Sequence, residues 1–78
     1  MTELPSQLRA FVDGTAVTVT RGATLLDAVR AADPALADAI AAGTRAVADS
    51  RGLVVDHGLP VSGGTVLRVV SARARRAT

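Results

Sequence analysis

His57 is the only imidazole in the chain and follows Asp56 directly, so general-base chemistry would have to start from this pair. A base acts on a nucleophile or a metal held beside it. The hydroxyls on offer are Ser50 and Ser62, and neither spacing carries an oxygen to the imidazole. The pair therefore reads as part of a solvated loop. Asp27, Asp33 and Asp38 crowd a stretch with helical spacing, but Asp27 and Asp33 stand at capping positions and form no acid/base pair. The absences are equally informative. There is no cysteine for a thiolate, a disulfide or an iron–sulfur cluster, and no lysine for a Schiff base. One histidine cannot assemble a His-rich zinc site. The expectation is a protein that is not an enzyme and uses no metal and no cofactor.

Binding chemistry is better represented. All nine basic residues are arginine, whose planar fork pairs bidentately with carboxylates and phosphates. The net charge is only +2, but it is unevenly placed: residues 67–78 carry Arg68, Arg73, Arg75 and Arg76 with no acid, and the rest of the chain nets −2. A basic tail of this kind has three uses: as a solvated end, as an arm steering an acidic protein partner, or as a contact to RNA or DNA. Nucleic acid is the weakest fit. Phe11 is the sole aromatic ring, and four arginines make a small phosphate footprint.

The elements that must position these residues follow from periodicity. The 78 residues make one domain. Residues 8–12 and 16–20 read as strands joined at Asp13-Gly14, a pair suited to a tight hairpin. Thr24 and Asp27 resemble a capping box, after which Leu25, Ala28, Val29 and Ala32 fall on one helical face. Asp33-Pro34 interrupts it, so one bent helix or two short ones are equally acceptable; Leu36, Ala39 and Ile40 continue an apolar face to Gly43. Residues 45–50 then read as a polar third strand, 53–56 as a fourth and 65–71 as the last. Gly63-Gly64 reads as the turn into that last strand. Apolar stretches are only a few residues long, so nothing spans a membrane, and residues 1–5 lack the form of a signal peptide; a cytoplasmic protein is expected.

Hairpin, helical segment, then two or three strands, with the last strand parallel to the first, is an α+β arrangement and describes the β-grasp, or ubiquitin-like, fold: a short mixed sheet of four to five strands with one helical segment on one face. Residues 1–6 are expected to be a flexible leader, 7–72 the domain and 73–78 a basic tail. The run Asp13-Gly14-Thr15-Ala16-Val17-Thr18-Val19, then Gly22-Ala23-Thr24-Leu25-Leu26-Asp27-Ala28-Val29, resembles the opening of small β-grasp proteins. These include thiamine-pathway sulfur carriers, the small subunit of molybdopterin synthase, TGS domains and plant-type ferredoxin domains. Val47-Ala48-Asp49-Ser50-Arg51-Gly52-Leu53-Val54 and Leu59-Pro60-Val61-Ser62-Gly63-Gly64-Thr65-Val66 are similar to the sulfur-carrier pattern. The likeness spans residues 8–72 and rests on turn and cap residues, so it implies a fold more than an activity.

The ferredoxin likeness stops at the missing cysteines. Carriers of this type end in Gly-Gly, because a bare backbone must enter the activating enzyme, and here Arg75-Arg76 stands about where that pair would be. The resemblance therefore implies a β-grasp protein without the transferable diglycine, working as a binding protein or accessory subunit. Its partner would be a protein, either a larger enzyme subunit or one like an activating enzyme. A sulfur carrier for thiamine or molybdopterin synthesis and a TGS-like RNA-binding module are the alternatives. If Leu8, Ala10 and Val12 point at the helix, Arg9 and Phe11 point away from it. In the last strand Val66, Arg68 and Val70 would do the same, leaving an apolar patch with an arginine rim, as protein-binding surfaces tend to have. The expected contacts are Arg9, Phe11, Val66, Arg68, Val70, Arg73, Arg75 and Arg76.

Overall fold

In the computed structural model of the chain, the described residues are 6–72; the expected leader, except Ser6, and the expected tail lie outside them. The order of elements is β1 (Gln7–Val12), β2 (Thr15–Thr20), α1 (Leu25–Ala32), α2 (Pro34–Ala42), β3 (Arg45–Ala48), β4 (Val54–Val55) and β5 (Thr65–Ser71). The hairpin forms because Asp13 and Gly14 both take positive φ, 51° and 85°, the primed turn whose twist matches two antiparallel strands. Its register runs without interruption from Val12 opposite Thr15 to Gln7 opposite Thr20.

α1 starts at a reciprocal cap. The Asp27 N–H donates to Thr24 Oγ1 at 3.2 Å, and the Thr24 N–H donates to Asp27 Oδ2 at 3.0 Å. Two helices form in place of a single bent one. Asp33 has extended backbone (φ −159°), so it ends α1, and its carboxylate accepts the Ala35 N–H at 3.0 Å to open α2 with Pro34 in the first turn. Gly43, at φ 87°, closes α2. Leu25, Ala28 and Val29 are buried on α1 as their spacing predicts. On α2 the buried residues are Ala37 and Ile40, with Leu36 packed against them; the restart at Pro34 leaves Ala39 at the margin of the apolar stripe.

The strands assemble in the order β2-β1-β5-β3-β4. β1 and β5 are parallel, with Ala10, Val12 and Phe11 beside Thr65, Leu67 and Val66, and every other pair is antiparallel. The described residues thus form a small α+β protein with a five-stranded mixed sheet and two helices. Both helices pack on one face, where Ala10, Val12, Val19, Val47 and Leu67 meet Leu25, Ala28, Val29, Ala37 and Ile40, with Val61 closing the core from a loop. No helix among the described residues is long and apolar enough to cross a membrane.

β3 departs from its expected character in two ways. It is not a polar strand: Ala46, Val47 and Ala48 are all buried, although only Val47 joins the core beneath the helices. The alanines lie on the opposite face, small enough to be shadowed by Val70 and Arg68 beside them on β5 and by Val54 on β4. It is also shorter than residues 45–50, because Asp49 turns the chain. The Asp49 carboxylate accepts the N–H groups of Arg51 and Leu53 at 2.9 and 3.0 Å and pairs with the Arg51 guanidinium at 2.9 Å.

The Arg51 guanidinium first, and then the Leu53 N–H, hold the Asp49 carboxyl below its ordinary value of 3.8. A depressed folded-state value stabilises the fold above the unfolded-chain pKa, and that contribution disappears as pH falls through the folded value. Asp49→Asn should therefore narrow the stability gap between about pH 7 and about pH 2.5. Urea unfolding of both proteins at the two pH values checks this, and parallel curves for the two proteins would refute it.

Candidate functional site

The alternation of β1 sends Leu8, Ala10 and Val12 under the helices, so Arg9 and Phe11 occupy the opposite face. β5 does the same, with Leu67 at 1% exposure and Val69 packed against the core, while Val66, Arg68 and Val70 face away. This is the face the helices leave open.

Register then decides what lies beside what. Phe11 stands directly opposite Val66, and Ala16 of β2 stands on the other side of Phe11, making one apolar row across three strands. Val66 is 44% exposed and Phe11 half-buried, so the row is accessible. One pleat away, Arg68 is followed across the sheet by Ala48 and Val54. A pleat further, Val70 pairs with Ala46. On the other side of the Phe11 row, Arg9 pairs with Thr18.

The geometry of the patch therefore differs from an apolar centre inside an arginine rim. Val66 and Val70 are four residues apart, roughly 13 Å along the strand, and Arg68 stands between them. Arginine and apolar rows alternate, with Arg9 and Arg68 bracketing the Phe11–Val66 row. The exposed arginines on the face, Arg9 and Arg68, have no ion-pair partner among the described residues, whereas Arg30 pairs with Asp38 on the helical side and Arg51 with Asp49 in the β3–β4 turn. Three of the described acids, Asp27, Asp33 and Asp38, belong to the helical segment, at a cap or on a helix. The open face is electropositive by this segregation, and not because the domain is strongly basic.

Asp13 stands at the margin of this face, and it has a task there. Its carboxylate accepts the Val69 N–H at 3.1 Å, and its own N–H donates to the Leu67 carbonyl at 2.9 Å, so the hairpin turn is fastened to the central strand. A shallow groove runs between this turn and residues 66–70. Ala16, Ala46, Ala48 and Val54 also belong to the face. Nothing in the spacing of the sequence marks them, because their membership depends on which strands pair.

No hydrogen bond or ion pair joins the side chains of His57 and Asp56. His57 is half-buried rather than solvated. Its carbonyl accepts the Leu26 N–H at 3.0 Å, while the Asp56 carboxylate accepts the Gly58 N–H at 2.8 Å. Both line a second groove beside the end of α2, with Arg45, and neither Ser50 nor Ser62 lines it. Gly63-Gly64 serves as a turn, with Gly64 at φ 80° donating its N–H to the Arg9 carbonyl at 2.8 Å. No cluster of three or more His, Cys, Asp or Glu suited to a metal occurs among the described residues. Arg73, Arg75 and Arg76 lie outside the described residues. No family model, curated protein or solved structure matches the chain.

Proposed function

We propose that this chain is a non-catalytic β-grasp protein, an accessory subunit that docks a larger protein partner through its open sheet face. The strand order with a parallel central pair, β1 beside β5, supports the β-grasp reading. The observation that carries the docking reading is the Phe11–Val66 row lying between two arginines without ion-pair partners among the described residues. A solvated face has no need of an exposed valine beside the only aromatic ring. Such a row buries apolar area when covered, and Arg9 and Arg68 select what covers it. The complementary surface presents one or two apolar side chains flanked by Asp or Glu. By sequence, Arg73, Arg75 and Arg76 add charge of the same sign.

The test is site-specific photo-crosslinking in the native cell, with the probe at Val66 on the open face and, as control, at Ala41 on α2. The protein captured at Val66 but not at Ala41 is then purified and titrated. Phe11→Ala and Val70→Asp should weaken that purified interaction at least about tenfold while leaving the far-ultraviolet spectrum unchanged, and added salt should weaken it further. Equal capture at both positions, or binding indifferent to Phe11→Ala and Val70→Asp, would overturn the reading.

A further inference from the structure

The two edges of the sheet are built very differently. One is β4, only two residues long, and a strand that short offers little to pair with. The other is β2, six residues reading Thr-Ala-Val-Thr-Val-Thr with no charge, no proline and no break in its register. Natural edge strands of this length and composition usually carry a lysine, a proline or a bulge to prevent pairing. β2 carries none.

Its backbone groups that no described strand pairs with can be assigned. Val12 and Thr15 flank a two-residue turn and so form a hydrogen-bonded pair, and such pairs recur at every second position. Ala10 with Val17 and Leu8 with Val19 follow, and the series ends with the Arg21 N–H donating to the Ser6 carbonyl at 2.8 Å. Ala16, Thr18 and Thr20 therefore turn both N–H and C=O away from β1, toward the open edge. The Thr20 carbonyl also accepts the Ala23 N–H at 2.9 Å, which leaves it a second lone pair.

We infer that β2 is a self-association edge, pairing antiparallel with β2 of a second copy about a two-fold axis through Thr18. The sequence of the strand argues for a second copy as the occupant. With Thr18 opposite Thr18 of the other copy, Ala16 meets Thr20 and Thr20 meets Ala16, so all three outward residues are paired. In the same register Val17 lies opposite Val19 on the helix-bearing face. Val19 is buried and Val17 packs against the core, so the pairing extends each core across the boundary. A shift by one residue would set Val17 and Val19 against residues of the wrong face. A shift of the two-fold axis by one position, to Val17, would pair only Ala16 with Thr18. The Thr18 register is the one in which the whole strand complements itself. The result is a continuous ten-stranded sheet in which both open faces remain available, so this association is independent of the docking proposed above.

Sedimentation equilibrium of the full chain tests it. A concentration-dependent dimer is expected. Thr18→Pro removes an N–H that no strand among the described residues uses, and should raise the dimer dissociation constant about 100-fold with the fold retained. Thr18→Lys and Thr18→Glu give a second, independent reading. Position 18 faces itself, so each variant alone should weaken the dimer, and mixing the two should produce a heterodimer tighter than either homodimer. A chain that stays monomeric up to about 1 mM would overturn the inference. So would a dimer unaffected by Thr18→Pro, or a Lys and Glu mixture with no preference for the heterodimer.

Discussion

Leu67→Ala is expected to lower the unfolding free energy by about 3 kcal/mol, and Val66→Ala, one residue away, by less than about 0.5 kcal/mol. Leu67 is 1% exposed at the centre of the middle strand, a member of the same buried cluster as the apolar residues of both helices, with Val12 beside it. Truncating it loses the transfer free energy of three carbons and leaves a cavity that a packed neighbourhood fills only in part. A domain this size holds only about 4–10 kcal/mol in total, so the melting temperature should fall by roughly 15–20 °C. Val66 lies on the open face at 44% exposure and contributes little to the core. Thermal unfolding of the two variants side by side measures the contrast. Similar losses for both would mean that the strand is turned the other way and that the open face is core.

The second large effect concerns Asp13. Asp13→Ala should cost about 2 kcal/mol, an unusual sum for an exposed residue in a turn. Two separable causes contribute. The residue has φ 51°, a left-handed conformation that alanine occupies at a cost of about 1 kcal/mol. Its carboxylate also accepts the Val69 N–H at 3.1 Å, and losing it leaves a strand donor without a partner, worth about 1 kcal/mol more. Three substitutions separate the terms. Asn keeps both the acceptor and the tolerance for positive φ and should be nearly neutral. Gly relieves the backbone but loses the acceptor and should fall between. Equilibrium urea unfolding should rank them Asn, Gly, Ala; an equal loss for Gly and Ala would remove the conformational contribution.

Asp13 combines a local role with a long-range one. Asp-Gly is a local signal, and it predicts the hairpin because the turn's strain and its relief both lie within two residues. The bond to Val69 joins positions 56 residues apart, and no local pattern encodes it. The same division runs through the helical segment. Thr24 with Asp27, Asp33 with Pro34, and Gly43 are each legible, since a cap is satisfied by atoms three residues away. Those signals even contain the break into two helices, although the apolar spacing alone also allows one bent helix. β3 is the opposite case. Its residues read as polar because Arg45 and Asp49 flank three small apolar side chains, and its burial on both faces depends on Val70, Arg68 and Val54 arriving from elsewhere.

The docking face divides in the same way. Period-two alternation is a property of a single strand, so the sequence by itself determined that Arg9 and Phe11, and likewise Val66, Arg68 and Val70, would share a side. It also determined the chemistry excluded by the absence of cysteine and lysine. What only the tertiary structure decided is adjacency. Parallel pairing sets Phe11 opposite Val66 and leaves Arg68 between Val66 and Val70 rather than on a rim around them. Alternation follows from backbone geometry one residue at a time, whereas register is chosen by the packing of a whole core, and that choice is spread over residues far apart in the chain.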